Sequence, residues 1–233
     1  MEWLTETKIP LGQWISSLMD ALNEHADFVF YTISDVLEFI IENTIDFLVW
    51  LPALLIIAAF GVLAAVVHKS WKLTAFTVLS LLLVVNLGYW EETMETLALV
   101  IYATLFCMLI GVPLGVASAH RPWLHQAMRP VLDLMQTIPT FVYLIPTLIL
   151  FGLGVVPGLI STVIFAIAAP IRLTHLGISN TPKALLEAGE SFGCTPRQLL
   201  FKVELPSAMP SIMAGLTQCI MLSLSMVVIA ALV

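Results

Sequence analysis

Charge is scarce in this chain. Only 11% of its 233 residues are Asp, Glu, Lys or Arg, 60% are hydrophobic, and the mean hydropathy is +1.01. A soluble domain carries about 25% charged residues. So few charges cannot cover a water-facing surface, so most of this one must face lipid or other helices. The nine Lys and Arg form no basic tail or stripe, which excludes nucleic acid as a partner. Cysteine is scarcer still. Cys107 and Cys219 sit in apolar runs and Cys194 in a polar stretch, a spacing that fits neither a disulfide framework nor a zinc site. Each reads as a small apolar residue. His120 and His125 are five apart and share no metal-binding helix face, and all five histidines are expected in loops. No cofactor or metal is expected. The chain lacks G-x-x-x-x-G-K-[ST], so it binds no nucleotide by a P-loop of its own. H-E-x-x-H, G-x-S-x-G and paired intramembrane carboxylates are also missing, which weighs against an intramembrane enzyme. No cationic n-region with a cleavage site opens the chain, so the first spanning helix is expected to do the targeting.

Long apolar runs are what the chain does have. Residues 47–67 are uncharged and about 31 Å long as a helix, one hydrocarbon core. Residues 73–90 and 96–119 are the next two candidates. Residues 134–171 carry no charge over 38 positions, too many for one crossing. GLGVVPG (152–158) breaks that run, which predicts a tight hairpin of spans near 134–153 and 158–171. Residues 207–233 are the sixth. The expected fold is therefore an all-α polytopic membrane protein, since only helices satisfy their own backbone groups in lipid.

Lysine and arginine set the orientation. Loop 68–72 carries Lys69 and Lys72, loop 120–130 carries Arg121 and Arg129, and loop 172–206 carries Arg172, Lys183, Arg197 and Lys202. These loops alternate onto one side, expected to be cytoplasmic. Residues 91–95 (EETME) lie opposite. The N-terminal segment 1–46 then lies outside, with nine acids and one lysine. Leu11, Trp14, Ile15, Leu18, Leu22, Ile33, Val36, Leu37, Ile40 and Ile41 recur at helical spacing. They predict one or two amphipathic helices at the outer interface, packed on lipid or on the protein's own spans.

Loop 172–206 is the one long cytoplasmic segment. Thr181-Pro182 predicts a helix start with proline at the first helical position, followed by KALLEAGESF (183–192). Gly193 suits the left-handed residue that ends a helix. Thr195-Pro196 repeats the start signal before RQLLFKV (197–203), a second short helix, and Pro206 precedes the return to the membrane. A helix–turn–helix anchored in lipid at both ends is either a passive interfacial loop or a knob that a cytoplasmic partner grips.

The loop resembles the cytoplasmic signature of ATP-binding-cassette importer permeases: glutamate-alanine-alanine, three residues, glycine, nine residues, isoleucine, one residue, leucine-proline. Here stand Glu187, Ala188, Gly189, Gly193, Val203, Leu205 and Pro206 at the same spacing, with Gly189 for the second alanine and Val203 for the isoleucine. RPVLDLMQTIPTFVYLIP (129–146), FGLGVVPG (151–158) and residues 201–232 are similar to the permeases of glycine betaine, proline betaine and choline importers. The resemblance implies the type I importer membrane fold, with segment 1–46 and spans in 47–90 preceding a permease core at 91–233. It implies that the seven signature residues contact a cytoplasmic ATPase, present in two copies. It further implies an extracytoplasmic substrate-binding protein, a second copy of the chain, a bacterial cytoplasmic membrane location, and a seventh span beyond Val233.

The residues that could supply energy point the same way. No Asp, Glu, Lys, Arg or His falls in the expected spans after position 134, which argues against proton coupling and leaves sodium coordination by backbone carbonyls open. A secondary transporter or channel is the competing class. Asp133 and Gln136, where the fourth span leaves the cytoplasm, are candidates for an inner gate. Aromatic faces can hold a quaternary ammonium, and Phe141 and Tyr143, with Phe151 and Phe165, are the candidates in the paired spans. Pro113 between Gly111 and Gly115, and Pro139 with Pro146, are expected to bend their helices.

Overall fold

Backbone amides and carbonyls find no water in a bilayer core, so a spanning chain must satisfy them internally. The computed structural model describes residues 11–231, and every regular element among them is helical. Residues 1–10 and 232–233 lie outside the described residues, as do the side chains of Leu11, Trp14, Ile15, Leu18 and Leu22. The N-terminal segment forms one helix, α1 (Leu11–Trp50). Pro52, which has no N–H, ends it, and α2 (Ala53–His68) leaves at 93°. The expected span 47–67 thus begins with a sharp bend. α3 (Trp71–Leu87) follows, then α4 (Trp90–His120), whose first turn carries Glu91 and Glu92 at the positive end of the helix dipole.

The middle of the chain departs most from expectation. Residues 122–137 were expected as loop and the start of a span; they form α5 (Pro122–Thr137). Pro139 then turns the chain into a single 3₁₀ turn (Thr140–Tyr143) and α6 (Leu144–Phe151), bent 111° from α5. The expected straight span 134–153 is therefore two helices meeting at a corner. The glycine turn 152–154 is where expected, and α7 (Val155–Ala166) and α8 (Ala168–Ser179) run on from it as one 25-residue apolar helix. Pro170 has no N–H to give the Ala166 carbonyl, which accounts for the irregular turn at Ile167. This span ends at Ser179, not residue 171. Arg172 and His175 are therefore helical residues, and the loop begins later than expected.

After α9 (Lys183–Ser191) comes α10 (Pro196–Leu199), a widened π turn (Leu200–Glu204) and α11 (Leu205–Ala230). The last three form one continuous helix from Pro196 to Ala230. By length and composition, Trp90–His120, Val155–Ser179 and Pro196–Ala230 can each cross a membrane. The two bent pairs, Phe28–Trp50 with Ala53–His68 and Pro122–Thr137 with Thr140–Phe151, meet the same test only jointly, and α3 is a shorter apolar helix of 17 residues.

The α7–α8 helix is the central post. Two-thirds of its apolar window (67%) is buried, against 39% for α4 and 33% for Pro196–Ala230. Lipid is as apolar as leucine, so close backbone approach through small residues must hold such helices together. Glycines provide it. Gly115 of α4 lies so near α8 that a Cβ would come within 2.6 Å of Thr174 Cβ and 2.8 Å of the Ile171 carbonyl oxygen. On the other side, Gly177 of α8 meets Ser211 and Ala208 of α11, and Gly215 of α11 meets Pro170. Cys107 of α4 and Cys219 of α11, far apart in sequence, join Ala166 in one buried cluster, both as free thiols. On the periphery, Leu37, Ile41 and Ile45 of α1 pack on Leu99, Val100 and Ala103 of α4, Leu159 of α7 and Val227 of α11. The acidic helix thus leans on the protein's own core, while Ile33, Val36 and Ile40 stay exposed.

A Gly115→Ala substitution drives a methyl into the α8 backbone, which no rotamer change relieves. The expected cost is about 1–3 kcal/mol, read as a lower melting temperature of the detergent-solubilised protein.

Candidate functional site

The segment between α8 and α11 is a closed helix–turn–helix. α9 starts at Lys183 with Pro182 just outside it, and the Thr181 hydroxyl, expected to cap this helix, is buried without a hydrogen bond. Its C-terminus is built as expected. Gly193 adopts φ 77, its N–H donates to the Glu190 carbonyl at 2.9 Å, and the Cys194 N–H donates to the Gly189 carbonyl at 3.1 Å. These paired bonds are the Schellman ending, which requires a left-handed residue at this position. Thr195 then makes a reciprocal cap: Gln198 N–H donates to Thr195 Oγ1 at 3.4 Å, and Thr195 N–H donates to Gln198 Oε1 at 2.9 Å.

The signature residues divide between the inside and the surface of this knob. Gly189 is buried where the two arms touch; a Cβ there would lie 2.7 Å from Leu199 Cδ1 and 3.5 Å from Val203 Cγ2. The near atom ends a flexible side chain, so an alanine fits once Leu199 turns. Val203 and Leu205 are half-buried, and Leu205 joins the seam between α4, α8 and α11. Glu187, Ala188, Gly193 and Pro206 are exposed. Sequence reasoning missed the largest feature of the surface. Phe192, the residue that caps α9, is 89% exposed at the knob's tip, and Leu185 and Phe201 are exposed as well. An exposed aromatic of this kind is the usual anchor of a protein interface. RQLLFKV is not a separate short helix, because it continues through the π turn into α11.

The candidate path residues do not converge on one cavity. Asp133 Oδ1 accepts from Arg172 Nη2 at 2.7 Å, an exposed ion pair joining α5 to α8. Gln136 Nε2 donates to the Phe165 carbonyl at 3.0 Å, beside the irregular turn at Ile167. Tyr143 Oη donates to the Met135 carbonyl at 3.0 Å. That carbonyl lies four residues before Pro139, which has no N–H to offer it, so the tyrosine mends the break that the proline makes. Tyr143 also packs on Phe165, with ring centroids 6.2 Å apart, while Phe151 meets Phe30 of α1 at 5.3 Å. Phe141 is exposed. Among the described residues the four aromatics form no common cage.

All five histidines lie in helices rather than loops, and three of them make contacts between helices. His175 lies in α8, stacked on His125 of α5 with centroids 3.9 Å apart. Ser118 donates to the Gly115 carbonyl at 2.8 Å, so its oxygen accepts from His175 Nδ1 at 3.0 Å. His120 closes α4 and bonds Glu204 of the π turn. No group of three or more His, Cys, Asp or Glu among the described residues could hold a metal.

Residues 111–233, which hold α5 through α11, match the family described as "binding-protein-dependent transport system inner membrane component". The chain is 44% identical over 233 residues to the glycine betaine/proline betaine transport system permease protein ProW of Escherichia coli, covering 98% of this chain and 64% of that protein. It is 43% identical over 232 residues to the glycine betaine/carnitine transport permease protein GbuB of Listeria monocytogenes, covering 97% of this chain and 80% of that one. It is 41% identical to the glycine betaine transport system permease protein OpuAB of Bacillus subtilis, over 97% of this chain and 80% of that one. A match over more than half of the chain, and these relatives over nearly all of it, establish that this multi-pass protein belongs to the family of inner-membrane components of binding-protein-dependent transport systems.

Proposed function

We propose that this chain is the permease through which an ATP-driven importer moves a quaternary ammonium osmoprotectant across the bacterial inner membrane. The class of substrate follows the relatives' named cargo, glycine betaine and proline betaine among them. The observation that carries the reading is the knob at 183–206. Two capped arms hold an exposed phenylalanine at a rigid tip, and both ends are rooted in spanning helices. A surface of that shape fits a cleft in a cytoplasmic ATPase subunit, with Glu187, Ala188 and Gly193 at the contact and Gly189, Val203, Leu205 and Pro206 holding the arms in register.

On this reading segment 1–46 lies outside, the core at 91–233 forms the passage, and two copies of the chain face two ATPase subunits, since closed symmetric assembly is the usual outcome. ATP binding draws the ATPases together, the knobs follow, and the passage opens outward to receive substrate from a binding protein. Hydrolysis resets it. Asp133, Gln136 and Tyr143 brace the corner between α5 and α6, so their role is to hold the passage's shape rather than to cage the substrate. Phe141, exposed at that corner, is the remaining aromatic open to the passage.

The direct test is a cross-linker at Ala188 in intact cells, followed by reconstitution with the ATPase and binding protein in vesicles. Capture of the ATPase and betaine-stimulated ATP hydrolysis are expected. Uptake that needs no ATPase and collapses with an ion gradient would establish the secondary-transporter class instead. Phe192→Ala should weaken ATPase binding roughly 30-fold, equal to a hot-spot loss of about 2 kcal/mol, at unchanged membrane abundance in a pull-down titration. Gly193→Val strains a left-handed position by about 1–2 kcal/mol and should lower uptake while the chain still reaches the membrane. Tyr143→Phe strands the Met135 carbonyl at a cost of about 1–3 kcal/mol, to be read as a lower melting temperature together with slower uptake.

A further inference from the structure

Glu204 is a charged residue in an unusual place. It is 8% exposed, and acidic residues are almost never so buried unless paired. It closes the π turn, where Leu205 N–H reaches back five residues to the Leu200 carbonyl. Such turns shift the register of everything before them and occur often at functional sites. Here the turn aims the carboxylate at the last residue of α4. His120 Nε2 lies 2.9 Å from Glu204 Oε2, and these residues are 84 apart in sequence. The bond sits at the edge of the seam in which Val116 and Ala119 of α4 meet Ile178 of α8 and Leu200, Leu205 and Ala208 of the last helix.

The protons of this bond follow from its partners. His120 Nδ1 faces the Val116 carbonyl at 3.0 Å, and Nε2 faces the carboxylate. A carbonyl and a carboxylate both only accept, so the imidazole must supply a proton to each. Alternatively the proton sits on Glu204 and is donated to Nε2. In either form the pair holds one proton more than a neutral imidazole beside a carboxylate, which could satisfy only one of its two acceptors. Among the described residues Glu204 has no other ion-pair partner. The nearest titratable groups in sequence, Arg121 just after α4 and Lys202 in the π turn, are exposed, and from the packed helices His175 of α8 and His125 of α5 are occupied with Ser118 and with each other.

We propose that His120 and Glu204 are positioning residues of the transport cycle: their shared-proton bond is the strut that carries movement of the knob into α4. The inference rests on the knob being the ATPase's docking element. Without the strut the knob still binds its partner, but its motion is no longer delivered to the passage. Glutamine at 204 keeps the strut: its amide both donates and accepts, so it bonds Nε2 of a neutral imidazole.

The experiment compares wild type, His120→Ala and Glu204→Gln, each reconstituted with ATPase and binding protein. ATPase capture at Ala188, and betaine taken up per ATP hydrolysed, are measured for each. Wild type and both variants are expected to capture the ATPase equally. His120→Ala should lower uptake per ATP at least ten-fold. Glu204→Gln, whose amide keeps a bond to Nε2, should retain the wild-type coupling. Coupling in His120→Ala equal to wild type overturns the strut. So does a loss of coupling in Glu204→Gln, a result that remains readable if His120→Ala fails to assemble. Failure of wild type to capture the ATPase overturns the docking reading instead, so the two outcomes are distinct.

Discussion

Helix contact without side chains between is the constraint on which this molecule depends. In a bilayer no apolar gain drives one helix onto another, so contact must come from backbones that approach closely. α8 is pressed against α4 at Gly115 and Gly111 and against α11 at Gly177 and Gly215. None of these approaches leaves room for a β-carbon without some shift. The Gly177 contact lies at the foot of the knob, one turn from the end of α8 and one turn into α11. It pinches together the two helices from which the knob projects, so the knob has a fixed base rather than a flexible stalk.

The second constraint is what proline leaves undone. Each proline inside or beside a helix strips a carbonyl of its donor, and this chain answers in different ways. At Pro139 the chain turns a corner and Tyr143 supplies the missing donor to Met135. At Pro52 one helix stops and another begins. Before Pro206 the helix widens into a π turn instead of breaking, which keeps the last span continuous with the knob. The corner and the widened turn thus come from the same chemical deficit, and the difference lies in whether a side chain is at hand to repair it.

Much of this could be read in the sequence, because it is local. The glycine turn at 152–154, the left-handed Gly193 and the Thr195 cap are each decided within a few residues, and all appear where the pattern puts them. The misses share a physical cause. In the sequence Arg172 and His175 mark a loop because a charge in a span is costly, yet Asp133 and Ser118 on other helices remove that cost. α5 was hidden because its polar residues read as loop. Phe192 carries no signal of its own in the sequence, since exposure is a property of the assembled surface and not of a residue type. Thr181 had the right identity for a cap, but its hydroxyl points into the protein instead. The strength of the caps at Gly193 and Thr195 and the weakness of the one at Thr181 show that a cap motif is reliable where no tertiary contact competes for its side chain.

The continuity of the last helix carries a mechanical consequence. Of the knob's two arms, the first ends at Gly193 and reaches α8 through the short link 180–182, whereas the second passes from Pro196 to Ala230 without interruption. Displacement of the tip is therefore delivered along α11 as along a rod, and reaches α8 chiefly through the glycine contacts. The π turn is the one place on that rod where the helical hydrogen bonds are spaced differently, and so the place where it yields most easily. Glu204 stands at that joint and reaches across to α4. A yielding joint with a cross-link is what decides whether movement at one end of a rod bends it locally or travels on. In the docking reading proposed here, the glycine contacts make the core a single body and the joint sets how much of the ATPase's stroke that body receives.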